Sequence, residues 1–432
     1  MTDVGKPGFG VALRSGEFRA LWSAEILSVF GDQIARVALA LLVFARTHSA
    51  ALTALTYALT FVPAVLGGLL LSGLADRYPR RAVIVVTDVV RAVLAVAIAI
   101  PGLPLEVLWV LVGLLTMAAA PFKAAQLSLL PQVLPEGHFQ AGLALRQIGT
   151  QTAQVAGFGL GGLLVTALGT TGSILINAAS FLASAALVLA GVRSRPAARA
   201  AAAARDEAPV RTGFDLRLAV IFGFAALIGL FVVPEGLAAP YANAVGVTSL
   251  GVGLLMAADP VGSVLGAWWA TRTSGRTSTR PRTVVVPAVL AGVPLIACAV
   301  VPGIVWPMVL WAASGAFATL YLIRLQAVVV AVVPDARRGT VMGRLSTCLY
   351  TSQGVAIVSA GVLAEGVGPV RAVAAAGALA SVLALAGGFV WRAAKSPQPD
   401  AAEDKHDDSE IPAQRGSRTQ AREDAKGPRA AT

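Results

Sequence analysis

Ten ionisable side chains sit inside stretches of sequence that are otherwise apolar: Glu25, Asp32, Arg36, Asp88, Arg91, Lys123, Arg146, Glu235, Asp259 and Arg324. An ionised group in such surroundings costs at least a few kcal/mol on insertion scales, so each must be paired, face a hydrated cavity, or be neutral for part of a working cycle. Glu25, Asp32 and Arg36 follow one another at spacings of seven and four, and with Ser28 they mark one polar face of a helix. An ion pair between Asp32 and Arg36, one turn apart, is the bland account of this stripe. The functional account is a cavity lining with a part in coupling, and Asp32 is its first candidate for a proton-carrying acid. Glu235 follows Pro234 and Asp259 precedes Pro260, so each acid is expected beside a helix break of the kind that exposes carbonyls at a midplane site. Prolines also kink helices for packing alone. Asp88 and Arg91 read as a structural pair or as a contact to the loop at Asp76. Lys123, Arg146 and Arg324 are available to mate with the acids or with an anionic substrate.

The elements that position these residues are long apolar helices. The chain has 432 residues, 56% hydrophobic and 13% charged, with a mean hydropathy of +0.74, far from the averages of water-soluble domains. Apolar runs of about 20 residues suffice to cross the hydrocarbon layer as helices. Such spans are placed near residues 19–45, 51–72, 82–101, 105–128, 140–168 and 171–192, and again near 216–243, 249–271, 283–301, 304–333, 340–364 and 369–392. The expected fold is an all-α integral membrane protein of about twelve transmembrane helices in two pseudo-symmetric six-helix halves. Its expected organisation is a cytoplasmic N-terminal arm (1–18), an N-terminal half (19–192), a cytoplasmic linker (193–215), a C-terminal half (216–393) and a disordered cytoplasmic tail (394–432). The arm leads into a full-length span with no cleavable leader, so the first span is expected to anchor the mature protein.

Of the 34 Lys and Arg, 27 fall on the side of the termini, two (Arg46 and Arg371) on the other, and five inside spans. This bias predicts a multi-pass plasma-membrane protein with both termini in the cytoplasm. It also accounts for the net charge of +11 without nucleic-acid binding, since the basic loops are short and interleave no aromatic residues. The halves echo each other: Leu134-Pro135-Glu136 recurs as Val333-Pro334-Asp335, and the stretch 67–77 lines up with 262–272 through Gly67/Gly262, Ala75/Ala270 and Arg77/Arg272.

Between the second and third spans lies Gly73-Leu74-Ala75-Asp76-Arg77-Tyr78-Pro79-Arg80-Arg81. This loop resembles the G-x-x-x-D-R-x-G-R-R signature of the major facilitator superfamily, with Pro79 in place of the second glycine. In physical terms Gly73 would let helices approach, Asp76 would face a neighbouring helix N-terminus, and Arg77, Arg80 and Arg81 would stay at the anionic surface. The plain alternative makes the arginines topological anchors only. The stretches 18–36, 131–136, 157–164 and 334–343 are similar to the drug- and siderophore-exporting branch, the macrolide and enterobactin exporters. Gly157, Gly161 and Gly162 resemble the span-5 antiporter signature, with Phe158 where a proline is usual. The resemblance implies a secondary transporter, a proton-coupled exporter of a small amphipathic or cationic compound, driven by the proton gradient and needing no cofactor. Its partners would be the lipid bilayer and a small-molecule substrate, and the chain is expected to act as a monomer.

Two cysteines (Cys298 and Cys348) and three scattered histidines form no metal-ligand spacing. No G-x-S-x-G, H-E-x-x-H or phosphate-binding loop occurs, so neither an enzyme nor a primary pump is expected. A solute importer of the same fold and a sensor that has lost transport are the rival readings.

Overall fold

Once an apolar run meets lipid it must satisfy its backbone polar groups internally, and a helix does so within a single segment. The computed structural model describes residues 9–135, 138–195, 216–273, 281–333 and 335–393. Among these, every regular element is helical. A short α1 (Phe9–Ala12) precedes α2 (Gly16–Thr47), the first traverse; α3 (Ala50–Ala58) and α4 (Val62–Leu71) make the second in two pieces. After the turn α5 (Leu74–Arg77) come α6 (Arg80–Ile98) and α7 (Leu105–Val133), the third and fourth. In α8 (Phe139–Gly191) the fifth and sixth traverses join with a single non-helical residue between them, Gly169 (φ 73°, ψ 176°). That left-handed φ is open to glycine at little cost. Both ends of α8 return to the start of α2: Trp22 Nε1 donates to the Leu145 carbonyl at 3.1 Å, and Gly191 lies against Ala20.

The seventh traverse is a chain of short helices, α9 (Leu216–Ala226), α10 (Ile228–Phe231), α11 (Val233–Gly236) and α12 (Ala238–Ala244). Single helices follow: α13 (Ser249–Thr273), α14 (Arg282–Ala297), α15 (Val305–Val332), α16 (Asp335–Val367) and α17 (Pro369–Ala393). Nine stretches among the described residues are long and apolar enough to span a membrane. One of these is the α8 pair. The traverse α6 carries Arg80, Arg81, Asp88 and Arg91, and α14 is 16 residues long with Pro287 and Pro294 inside it; both fall short on charge or length, yet they pack as members of the bundle.

The expected segments recur with shifted ends. The first helix starts at Gly16, inside the stretch read as an arm, because Ser15 caps it by accepting from the Phe18 amide at 3.2 Å. The break expected at Pro260 is not formed, since α13 continues through that proline, whereas the break at Pro234 is. The expected linker lies largely, and the expected tail wholly, outside the described residues.

Glycines set the packing within each half. A Cβ at Gly67 would meet the backbone of Met117 in α7, with Cα at 2.8 Å, and one at Gly262 would meet Ala312 in α15, with Cα also at 2.8 Å. The Gly67/Gly262 echo in the sequence is thus the same helix-on-helix contact made once in each half. Large apolar side chains such as Leu69, Leu70, Val300 and Phe389 remain exposed on the outer surface, as a lipid-facing belt requires.

Contacts between the halves run from mid-bundle toward the end opposite the termini. The Gly253 Cβ position meets the Phe158 carbonyl at 2.6 Å and the Gly162 nitrogen at 2.7 Å; Gly361 sits on Ala51 and Ala54. Glu365 accepts from Ser49 Oγ at 2.6 Å and from the Ala51 amide at 2.9 Å. A core of buried residues shared by both halves includes Tyr57, Phe158, Leu237 and Leu255. Toward the termini, a separate core around Phe18, Leu21, Phe122 and Leu129 draws on the N-terminal half alone.

Candidate functional site

The polar stripe of α2 is split among three partners. Glu25, 4% exposed, is held by Arg146 of α8 through two contacts of 2.7 Å, from Nε to Oε2 and from Nη2 to Oε1. Two parallel N–H donors on one carboxylate are the strong form of this pair. Two turns further along the same face, Asp32 Oδ2 meets Arg91 Nη2 of α6 at 2.7 Å. Arg91 Nη1 donates to Ser28 Oγ at 2.9 Å and lies 3.4 Å from Asp88 Oδ1. Its guanidinium also lies 3.9 Å from the Phe181 ring centroid, which supplies a favourable face for a desolvated cation.

The ion pair expected between Asp32 and Arg36 is therefore replaced by one between Asp32 and Arg91. Arg36 instead lies over the rings of Tyr57 (5.8 Å) and Phe61 (5.4 Å). The reason is geometric: α6 brings a fixed guanidinium fork to Asp32, while the Arg36 side chain turns toward the aromatic residues at the end of α3.

Tyr57 Oη donates a short hydrogen bond to Glu235 Oε2 across the two halves. Both residues are buried, at 3% and 6% exposure. The segmentation of the seventh traverse puts Glu235 there: Pro234 lacks an amide hydrogen and α11 is a single turn. Asp259 of α13 packs on α15 at Gly315, where a Cβ would meet its Oδ1 at 2.6 Å. Arg324 is partly buried on α15 and is not among the residues lining the cavity beside Asp32 and Arg36.

That cavity has a volume of about 270 Å³ and is lined by Asp32, Arg36, Arg91 and Lys123, with Gln154 and Asn177 among its neutral polar groups. Thr60 and Phe61, in the break between α3 and α4, also border it, as does Tyr350 from the second half.

The glycine motif of the fifth traverse packs helices on two sides. Gly157 and Gly161 lie against α2 at Gln33 Cβ (2.8 Å) and Val37 (3.0 Å), and Gly162 lies against Leu250 of α13 (Cα at 2.9 Å). Phe158, fully buried, fills the core between the halves. In the loop motif, Arg80 donates to the Ser128 carbonyl at 3.0 Å and Arg81 to the Leu189 carbonyl, covering carbonyls near the ends of α7 and α8. Arg77 is exposed. A Cβ at Gly73 would meet nothing within 4 Å, and its φ is −63°, so the close approach expected of this glycine is not made here. Asp76 falls in α5; its side chain lies outside what the structure describes.

Tyr57, the hub position of Arg91, and the Glu365 contact carry no spacing signal of their own. Tyr57 reads as one more aromatic in an apolar run, and only the fold brings it to Glu235.

Among the described residues, twelve helical traverses in two glycine-packed halves, with charged side chains around a cavity that the N-terminal half lines except for Tyr350, fit a multi-pass membrane protein. A model of the Major Facilitator Superfamily matches residues 21–237 and again 219–429. The chain belongs to the major facilitator superfamily, a family of membrane transporters and not of enzymes. A curated relative, described as an uncharacterized MFS-type transporter, YfiS, of Bacillus subtilis (strain 168), is 25% identical over 169 residues, which span 39% of this chain and 40% of that protein. A bacterial homolog of the human lysosomal transporter Spinster, solved in an inward-facing and occupied conformation, shares the fold at a TM-score of 0.70 with 14% identity, covering 90% of this chain and 97% of the other. A POT family transporter in complex with 5-aminolevulinic acid does so at 0.70 with 11% identity, covering 88% and 96%.

Proposed function

We propose that this chain is a proton-coupled exporter of a small amphipathic compound, of the drug, antibiotic or siderophore class, working by alternating access as a monomer in the plasma membrane with both termini in the cytoplasm. The observation that carries the reading is the hydrogen bond from Tyr57 to Glu235. It joins an acid in the broken seventh traverse to the second traverse, at the boundary between the two halves. The contacts between halves lie from that level toward the end opposite the termini, which the charge bias assigns to the outside. Rocking the halves open at that end separates Tyr57 from Glu235. The carboxylate then loses the donor that stabilises its charged form, and takes up a proton from outside. Reclosure returns the acid to Tyr57 and sends the proton toward the cavity and the cytoplasm. Substrate leaving as the proton enters gives antiport, and a ligand drives the cycle only through unequal affinity for the two states.

The test is substrate-triggered pH change in vesicles containing the purified full-length protein, screened over chemically diverse compounds. Proton movement that depends on one compound class and collapses when the proton gradient is dissipated supports the reading. Uptake of a solute without proton movement supports the importer alternative, and silence across the screen supports a non-transporting sensor.

A further inference from the structure

We propose that the compound bound in the cavity beside Asp32 carries an anionic group, held by Arg36 and Lys123. The inference rests on the transporter reading of the cavity and specifies what occupies it. Four charged residues line the cavity, Asp32, Arg36, Arg91 and Lys123. Asp32 and Arg91 neutralise each other at 2.7 Å, and Asp88 shares the same guanidinium. Among the described residues, no carboxylate lies within 4 Å of a nitrogen of Arg36 or Lys123. The acids that bear on these two cations are already engaged. Glu235 acts on Arg36 from behind the Tyr57 hydroxyl that it accepts. Glu25 acts on Lys123 while bound by both nitrogens of Arg146.

Two cations therefore face the same space without a carboxylate of their own, which leaves an excess of positive charge there. Such a site recruits and holds a carboxylate, sulfonate or phosphate far better than an ammonium. The amide side chains of Gln154 and Asn177 line the same space and supply neutral donors beside the cations. The apolar share of the lining, Leu39, Ala95, Ile98, Val112 and Leu115, fits a hydrocarbon body attached to that anion. The cationic substrate that the exporter resemblance implies would instead meet two like charges.

The experiment uses three probes with one skeleton, 4-phenylbutyrate, 4-phenylbutyramide and 4-phenylbutylamine, added to the purified full-length protein in detergent. Binding is read as the shift in thermal unfolding temperature with probe concentration. The expected result is a saturable shift with the carboxylate only. That shift weakens roughly tenfold to a hundredfold in apparent affinity in Arg36→Gln and in Lys123→Gln, as loss of a charged hydrogen bond entails, and is retained in Lys123→Arg and in Arg371→Gln, a control in the first turn of α17 outside the cavity lining. If Arg36→Gln fails to fold, the Lys123 pair decides alone. A shift with the amine or the amide and not the acid overturns the inference, as does no shift with any probe, or a carboxylate response that survives both glutamine variants. Amine binding together with proton-coupled transport would sink the anion site and leave the exporter standing. Carboxylate binding without proton-coupled transport would do the reverse.

Discussion

The phenol of Tyr57, in the second traverse, is hydrogen-bonded to the carboxylate of Glu235, in the seventh, so one proton joins the two halves of the bundle. Replacing Tyr57 by Phe keeps the ring on which Arg36 lies and removes only that bond. Proton-driven transport by Tyr57→Phe is expected to fall by roughly the tenfold to hundredfold that a hydrogen bond to a charged group is worth. Folded yield should stay near native. Vesicle transport assays compared with size-exclusion profiles check both.

Arg91 is expected to be the costliest cation to remove. It is 2% exposed and serves Asp32, Asp88 and Ser28 at once. Arg91→Gln leaves buried acids without their counter-charge, and breaking a buried pair in this way costs about 3–5 kcal/mol. Asp32→Asn should cost less, because its side chain is 26% exposed to the cavity and Asp88 still balances the guanidinium. Thermal unfolding in detergent ranks the two; equal losses would contradict the hub role of Arg91.

The charges of this bundle were legible in the sequence and their pairings were not. Intramembrane acids stand out because of their cost, which is why Glu25, Asp32, Glu235 and Asp259 are visible as candidates. Pairing depends on which helices become neighbours, so Asp32 takes Arg91 from the third traverse over Arg36 on its own helix. Pro234 and Pro260 look alike in sequence, but only the first interrupts its helix. The Gly67/Gly262 echo was legible because both positions meet a neighbouring backbone, where only the smallest residue fits. Gly73 has open space around it in this conformation, and no packing demand reveals its use.

Glu365 is expected to act as a latch at the end opposite the termini. Its carboxylate takes the Ser49 hydroxyl and the Ala51 amide at the start of α3, where a helix N-terminus favours negative charge. Glu365→Gln weakens that contact and should raise the labelling rate of a cysteine placed at Ala50 by a membrane-impermeant maleimide. An unchanged rate would show that the packing at Gly361 and Ala54 holds this end shut alone.

Gly162→Val should push the same end open. Its Cβ would meet Leu250 of the other half at 2.9 Å, whereas a valine at Gly73 meets open space. The Ala50 cysteine should then label faster in Gly162→Val than in Gly73→Val. Equal rates would remove the fifth traverse from the closure.

Asp76→Asn should insert normally, bind substrate with little change in affinity and transport more slowly, because a loop charge biases the balance between states without touching the cavity. Vesicle flux together with equilibrium binding measures the split. A native rate would reduce the loop to a topological anchor.

The central claim, that Glu235 carries the coupled proton, is tested most directly by Glu235→Gln, measured for uphill transport and for equilibrium exchange with a compound that the vesicle screen shows to be carried. Glutamine still accepts from Tyr57 Oη but cannot gain or lose a proton. The account predicts that accumulation driven by the proton gradient is abolished while exchange between the two faces continues, and that Asp32→Asn retains proton-driven accumulation. Full uphill transport by Glu235→Gln would contradict it.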